Sequence, residues 1–263
     1  MADDSLAEIK KDYVLAKLKD GERIDGRRFD EIRPIEVKVG LIKKAEGSAL
    51  VKLGNTQVVA GVKMQVGQPF PDTPDQGIII TNAELVPLAS PTFEPGPPDE
   101  NAIELARVVD RGIRHSQAVD LEKLCIEEGE KVWIIFIDIW VLDDDGNLMD
   151  ASALAAIAAL LNTTVPAERF ELGENYKLPV NDIPIAITSL IVNDNILVDP
   201  SRDELSIGNN TITITTDQND NIVSIQKSGP FLLSEQKFDE LIDISIAKAR
   251  EVREFLRSVI REE

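Results

Sequence analysis

The sequence predicts an α+β fold with mixed sheets, packed helices and a long C-terminal helix. Three observations carry that prediction. Apolar and polar residues alternate with the period of a strand across 35–64 and again across 184–227. Between these regions, 150–161 is almost entirely Ala and Leu, the pattern of a helix buried on every side. At about 234–261 an amphipathic pattern places Phe238, Leu241, Ile242, Val252, Leu256, Val259 and Ile260 on one stripe. Strands and helices are grouped and do not alternate regularly, which argues against a doubly wound parallel sheet.

The elements follow in order. Residues 5–19 read as a helix, with Ser5 and Glu8 at capping-box spacing and a stop at Lys19-Asp20-Gly21. Residues 1–22 are expected to form an arm that packs on the body or on a neighbour. Ile35, Val37 and Val39, then Val51 and Leu53, then Val58 to Met64 predict an antiparallel meander, with Gly54-Asn55-Thr56 as a turn. Eight of the 14 prolines fall in 66–98, so that stretch is expected as loop or edge around the apolar run Ile78–Ile80. Asn101 and Glu104 have capping-box spacing at the start of a helix over 101–117, with Ile103, Ala106, Val109 and Ile113 as its apolar stripe. Residues 131–142 read as a strand buried on both faces. Asp143–Asn147 turns the chain into the Ala-rich helix. Strands at 184–192 and 196–199 flank Asn193-Asp194-Asn195, and strands at 211–216 and 222–227 flank a second hairpin turn. One domain over 23–263, in halves of about 23–180 and 181–263, is expected.

Composition excludes several functions. The 263 residues carry 28 basic and 47 acidic side chains, a net charge of −19. Such a chain repels nucleic acid and anionic membranes in bulk, so any nucleic-acid contact needs a local basic cluster. The apolar stretches are shorter than the roughly 20 residues that span a bilayer. No basic region followed by an apolar core opens the chain, so no secretory signal and a cytoplasmic location are expected. One Cys and one His cannot build a zinc site of the usual kind, and Asp143–Asn147 lacks Ca²⁺-loop spacing, so no metal and no cofactor are expected. Phosphate-binding loops and nucleophile motifs are missing. His115 and Cys125 read as structural, Cys125 as a small core residue.

One cluster stands out. Arg107, Arg111 and Arg114 are spaced i, i+4 and i+7, which at about 100° per residue puts three guanidiniums on one ridge of the 101–117 helix. Three Arg and no Lys suit bidentate phosphate contact. Ion pairing with Glu104 and Asp110 is the plainer alternative.

Taken together, several segments resemble the RNase PH family, and within it the non-catalytic type of ring subunit found in the archaeal exosome. The matching residues are Arg23-Ile24-Asp25-Gly26-Arg27 with Arg33-Pro34-Ile35, Gly47-Ser48-Ala49, Gly54-Asn55-Thr56, the run Phe93 to Arg111, Val141-Leu142-Asp143 with Asp145-Gly146-Asn147, and Ile225-Gln226-Lys227-Ser228-Gly229. They cover nearly the whole chain. The resemblance implies an RNase PH-like fold of the ribosomal protein S5 domain 2 type, in two βα halves. It implies a hexameric ring, a trimer of heterodimers with a catalytic RNase PH-type sister, capped by S1/KH-type RNA-binding subunits. The ring degrades single-stranded RNA from its 3′ end by phosphorolysis. It also turns the arginine helix toward the RNA path, which makes Arg111, Arg114 and Arg107 the expected RNA-binding residues.

The chain departs from the active pattern at two places. Active members hold the attacking phosphate with a hydroxyl, a guanidinium and helix N–H groups at the start of the Ala-rich helix. Here that place reads Gly146-Asn147-Leu148-Met149-Asp150. A carboxylate about 4 Å from a bound anion opposes it by about 4 kcal/mol at an effective dielectric near 20, roughly a thousandfold in affinity. The second place is a pair of aspartates six residues apart, where this chain aligns Glu204 and Asn210. No catalytic residue is therefore expected, and the chain is read as helping to bind and position RNA for its sister. Two alternatives stay open: an autonomous phosphate-dependent exoribonuclease built on Asp182, Arg202 and Glu204, and a scaffold that never touches RNA.

Overall fold

A computed structural model of the chain describes residues 2–208 and 210–262, with side chains over 11–208 and 210–261. Helix α1 (Ala2–Lys19) opens it. The helix begins ahead of Ser5, so the Ser5–Glu8 pair lies within its first turns rather than at its cap; those two side chains are outside the described ones. Val14 and Leu18 bury against Leu190, Val192 and Leu197, which docks the arm on the body of the same chain.

Strands β1 (Ile35–Val39), β2 (Gly47–Leu53) and β3 (Thr56–Gly67) form the antiparallel meander. Gly54 takes φ +59 in the two-residue turn between β2 and β3, a conformation that favours glycine. After the proline-rich stretch come β4 (Ile78–Leu85), helix α2 (Glu100–His115), β5 (Cys125–Glu127) and β6 (Lys131–Asp143). The first sheet runs β1-β2-β3-β6-β4, with β5 paired to β6 and β4 parallel to β6 at the edge. Helix α3 (Leu148–Asn162) leads through the small pair β7 (Thr164–Val165) and β8 (Tyr176–Lys177) to the second half. There β9 (Ile185–Val192), β10 (Asn195–Val198), a one-turn helix α4 (Arg202–Leu205), β11 (Thr211–Thr216) and β12 (Ile222–Ser228) precede the closing helix α5 (Glu235–Glu262). The second sheet is ordered β10-β9-β11-β12, with every neighbour antiparallel.

The core explains the alanines. α3 lies between the sheets, touching β1, β2, β3 and β6 on one side and β9 on the other. Ala151, Ala155, Ala156, Ala158 and Ala159 are fully buried, and small side chains all round let both sheets approach the helix backbone. α5 covers the far face of the second sheet through Leu241, against Ile191, Ile212 and Ile214. The α+β class with mixed sheets and a long C-terminal helix is therefore as the sequence predicts.

Four local expectations are corrected. The cap of α2 is Asp99, whose carboxylate accepts the Ala102 N–H at 2.8 Å; Asn101 lies inside the helix. Ile103 is 49% exposed, and Leu105 and Ala102 occupy the core in its place. β6 is buried on the α3 side only, since Trp140 on its other face is 41% exposed. Cys125 is half-buried on the short β5 and is not a core residue.

Burial of charge ties the two halves together. Arg23 donates through Nε and Nη2 to both oxygens of Glu204 at 2.7 and 2.6 Å, and its remaining donors reach the carbonyls of Val198 and Asp199. Both side chains are wholly buried. Removing one partner of such a pair strands a charge in the interior. Glu204→Ala is expected to lower the unfolding free energy by about 3–5 kcal/mol, read from the urea midpoint at unchanged slope. A loss below about 1 kcal/mol, the range of exposed pairs, would contradict this role.

Candidate functional site

The entrance to α3 is built from residues distant in sequence. Gly146 has φ +87 and lies so close to the Pro200–Arg202 backbone that no Cβ fits. Asn147 follows at φ 53 and caps α3, its Oδ1 accepting the Asp150 N–H. Its Nδ2 donates one hydrogen to Asp150 Oδ2 at 2.8 Å and the other to Asp199 Oδ1 at 2.7 Å. Asp150 also accepts from Thr188 N at 2.9 Å and Thr188 Oγ1 at 2.6 Å, on β9. Asp199 accepts from Arg33 N, Nε and Nη2 at 2.9, 2.8 and 2.7 Å, and from Arg27 Nη1 at 3.1 Å. Arg33 reaches on to the carbonyls of Asp145 and Gly146 at 2.8 and 3.1 Å. Two carboxylates of its own chain thus flank the positive end of α3, joined through the Asn147 amide, and the amide and guanidinium donors beside it already have acceptors.

The two carboxylates titrate in opposite directions. Burial pushes Asp199 up, but the Arg33 guanidinium and the Asn147 amide outweigh it and hold the group below its ordinary range. Burial dominates at Asp150, whose pKa is raised to about 7 against the hydrogen bonds from Thr188 and Asn147, with the charge of Asp199 adding to the rise. Asp150 is therefore partly protonated at neutral pH, and the full repulsion expected from it as a permanent charge is reduced. What stands beside the helix end is a closed polar set: the Asn147 amide and the Arg33 and Arg27 guanidiniums already have carboxylate partners.

The other expected carboxylates are separated from one another. Glu204 belongs to the Arg23 pair and to the capping box of α4. Arg202 bonds Asp144. Asp182 accepts the Gln218 N–H at 3.0 Å beside the buried Arg253. Asn210, just before β11, is held by its backbone carbonyl, which accepts from Ile191 N at 2.8 Å on β9. None of the cavities described is lined by Asp182, Arg202 or Glu204. No group of His, Cys, Asp and Glu among the described residues could hold a metal ion.

The arginine ridge forms on the side of α2 opposite its buried residues. Arg107 is exposed and has no hydrogen bond or ion pair among the described residues. Arg111 donates Nη1 to Gln226 Oε1 at 3.3 Å, across to β12. Arg114 is 43% exposed but pairs with Asp110 through Nε and Nη2 at 3.0 and 2.9 Å, and donates to the Ile79 carbonyl. Glu104 bonds Gln226 and Ser228, not an arginine. His115 Nδ1 lies 3.2 Å from the Val223 carbonyl, to which it can only donate, so the lone histidine helps close the β12 edge as Arg114 helps close β4.

Comparison with known proteins follows from this geometry. Residues 31–166 match domain 1, and residues 182–248 match domain 2, of the 3′ exoribonuclease family RNase PH. The chain belongs to the RNase PH family. Among curated RNase PH relatives, a protein of Archaeoglobus fulgidus named "Exosome complex component Rrp42" is 70% identical, over 98% of this chain and 100% of that one. A protein of the same name from Methanocella arvoryzae is 56% identical over the same shares. A chain of the solved "archaeoglobus fulgidus exosome with RNA bound to the active site" superposes with a TM-score of 0.93 at 72% identity, covering 95% of this chain and 98% of that one. A chain of an archaeal exosome core gives 0.91 at 66% identity, over 98% and 100%.

Sequence reasoning passed over the residues that organise this RNase PH entrance. Arg33 and Asp199 are 166 positions apart, and Thr188 is 38 from Asp150. The available signal was the density of arginines at 23, 27 and 33 in an acidic chain, which demands buried acidic partners.

A pH effect follows from Asp150. Unfolded, the group ionises near 3.8; folded, near 7. Between these values the unfolded chain has released a proton that the folded chain keeps, so rising pH favours unfolding. The stability from this group is complete below about 3.8 and is lost as pH rises to about 7. Asp150→Asn stays neutral, and its amide can donate to Thr188 Oγ1, which turns to Thr213 Oγ1 2.8 Å away. The variant is expected to lack this loss, which is on the order of 4 kcal/mol. Urea midpoints compared from about pH 4 to about pH 7 check it; parallel curves for the two proteins would contradict it.

Proposed function

We propose that the chain is a non-catalytic, RNA-positioning subunit of a phosphorolytic 3′→5′ exoribonuclease ring of the archaeal exosome type. The observation that carries this reading is the filled entrance of α3. Phosphorolysis needs a place for inorganic phosphate, and the helix end that would offer one is flanked by Asp150 and Asp199, which take both amide hydrogens of its cap, Asn147. The carboxylate aligned with general acid or metal chemistry, Glu204, is buried in an ion pair. The naming of the relatives and the RNA-bound assembly in the A. fulgidus structure support the ring.

The ridge supplies the remaining role. Arg107 and Arg111 present guanidiniums that no carboxylate of the described residues neutralises, and Arg114 adds a charge partly offset by Asp110. On a chain of net charge −19 they form a local site for backbone phosphates. Such contacts position a single strand without reading its sequence. They hold the 3′ end in the site of an RNase PH-type sister, which supplies phosphate binding and bond cleavage. The sister alternates with this chain as a trimer of heterodimers, S1/KH-type subunits cap one face, and the assembly works in the cytoplasm. No helix among the described residues is long and apolar enough to cross a membrane.

The full chain alone is expected to show no phosphate-dependent shortening of RNA, and activity is expected once it is assembled with the catalytic sister. Arg111→Glu combined with Arg114→Glu is expected to weaken RNA binding by the ring by roughly tenfold or more at constant salt, with the mass of the ring unchanged. Release of nucleoside diphosphates by the isolated chain, or normal binding by the double variant, would contradict the proposal.

A further inference from the structure

One contact on the ridge differs in kind from the others. Arg114 is held by a carboxylate, so its charge is largely offset where it stands. Arg111 is held by an amide. Gln226 Oε1 accepts from Arg111 Nη1 at 3.3 Å while Gln226 Nε2 donates to Glu104 Oε1 at 2.7 Å. Glu104 Oε1 also accepts from Ser228 Oγ at 3.4 Å. A carboxylate can only accept, so Glu104 fixes which end of the amide faces it. That leaves the amide oxygen facing Arg111, where only a donor is useful. The chain Glu104–Gln226–Arg111 thus links α2 to the edge strand β12 and back to α2.

The consequence is electrostatic. A carboxylate placed directly against Arg111 would restrain the side chain and cancel its charge. A neutral amide restrains it and leaves the charge for an external anion. Arg111 Nε and Nη2 have no acceptor among the described residues, so the face of the fork turned away from Gln226 is available. Fixing an arginine before binding reduces the side-chain entropy lost when a phosphate is gripped. Gln226 and Ser228 belong to the Ile225–Gly229 segment, which the proposed function leaves without a task.

We propose that Gln226, oriented by Glu104, is a positioning residue for Arg111, setting its guanidinium for an RNA phosphate without neutralising it. The inference rests on the RNA-positioning reading given above. The test is a double-mutant cycle on the full chain assembled with its catalytic sister, using a fluorescein-labelled single-stranded oligoadenylate as probe and checking ring mass and melting temperature for each variant.

Gln226→Ala is expected to weaken binding about 3- to 10-fold, the scale of one net hydrogen bond. In an Arg111→Ala background the same change is expected to cost less than about twofold, because the group it positions is gone. Glu104→Ala should reproduce the Gln226→Ala loss. Glu104→Gln should keep most of the affinity, since its amide oxygen still accepts. Arg111→Ala is expected to lower the salt slope of binding by about one, and Gln226→Ala, which removes no charge, to leave that slope in place. An equal loss from Gln226→Ala in both backgrounds, or no loss where Arg111→Ala has one, overturns the positioning role alone. No effect of Arg111→Ala overturns the ridge reading together with it. If Gln226→Ala lowers ring assembly, the Glu104→Ala and Glu104→Gln pair decides: equal affinities for those two overturn the proposal.

Discussion

The structure turns on the N-terminal end of α3, where one side chain, Asn147, caps the helix and holds two carboxylates at once. α3 is enclosed by two sheets, with its first turn, Leu148 to Asp150, half-buried beside them. Asn147 supplies the cap and joins Asp150 to Asp199. Asp199 then requires cations, which Arg33 and Arg27 provide, and Asp150 requires donors, which β9 provides through Thr188. From one helix end, contacts therefore run to the N-terminal segment, the β6–α3 turn and the second sheet. The two halves therefore meet through this polar junction as well as through the apolar core around it.

The same junction separates two jobs that one active site would combine. An enzyme of this chemistry needs an open anion seat beside an RNA path. Here two carboxylates flank the seat, and α2 presents three arginines along the side away from its buried residues. α2 is well suited to present them. Arg114 and His115 fasten it to the carbonyls of β4 and β12, the edges of both sheets, so the ridge stands on a rigid base. Asp110, Glu104 and Gln226 then grade the arginines from neutralised to free.

Much of the fold was legible because it rests on short-range periodicity. The meander, the all-apolar α3 and the stripe of α5 follow from spacing alone. The errors arose where two local signals competed or where tertiary context decided. Asp99 and Asn101 stand two residues apart at the start of α2; Asp99 is the cap, Asn101 lies in the first turn, and Ile103 faces outward. Trp140 alternates correctly on β6 but no helix of the described residues covers its face. The candidate site was legible at the level of residue type: the ridge and the altered loop were both marked. Its electrostatics were not. Asp150 reads as a permanent negative charge until desolvation beside α3, aided by the charge of Asp199, is seen to outweigh the hydrogen bonds from Asn147 and Thr188 and move it toward neutrality. Asp199 reads as one more acid in an acidic chain, since its arginines lie at the other end of the sequence.

The most direct measurement is a titration of the full-length chain with inorganic phosphate and with sulfate, followed by calorimetry and by the amide resonances of Gly146 to Asp150. The account predicts no saturable binding and no shift at those amides up to concentrations of order 10 mM, since affinity at the 1 mM level already corresponds to about −4 kcal/mol. Saturable binding tighter than that, with shifts centred on Gly146–Asp150, would mean that the helix end is open to an external anion, and the separation of phosphate chemistry from RNA positioning would fall.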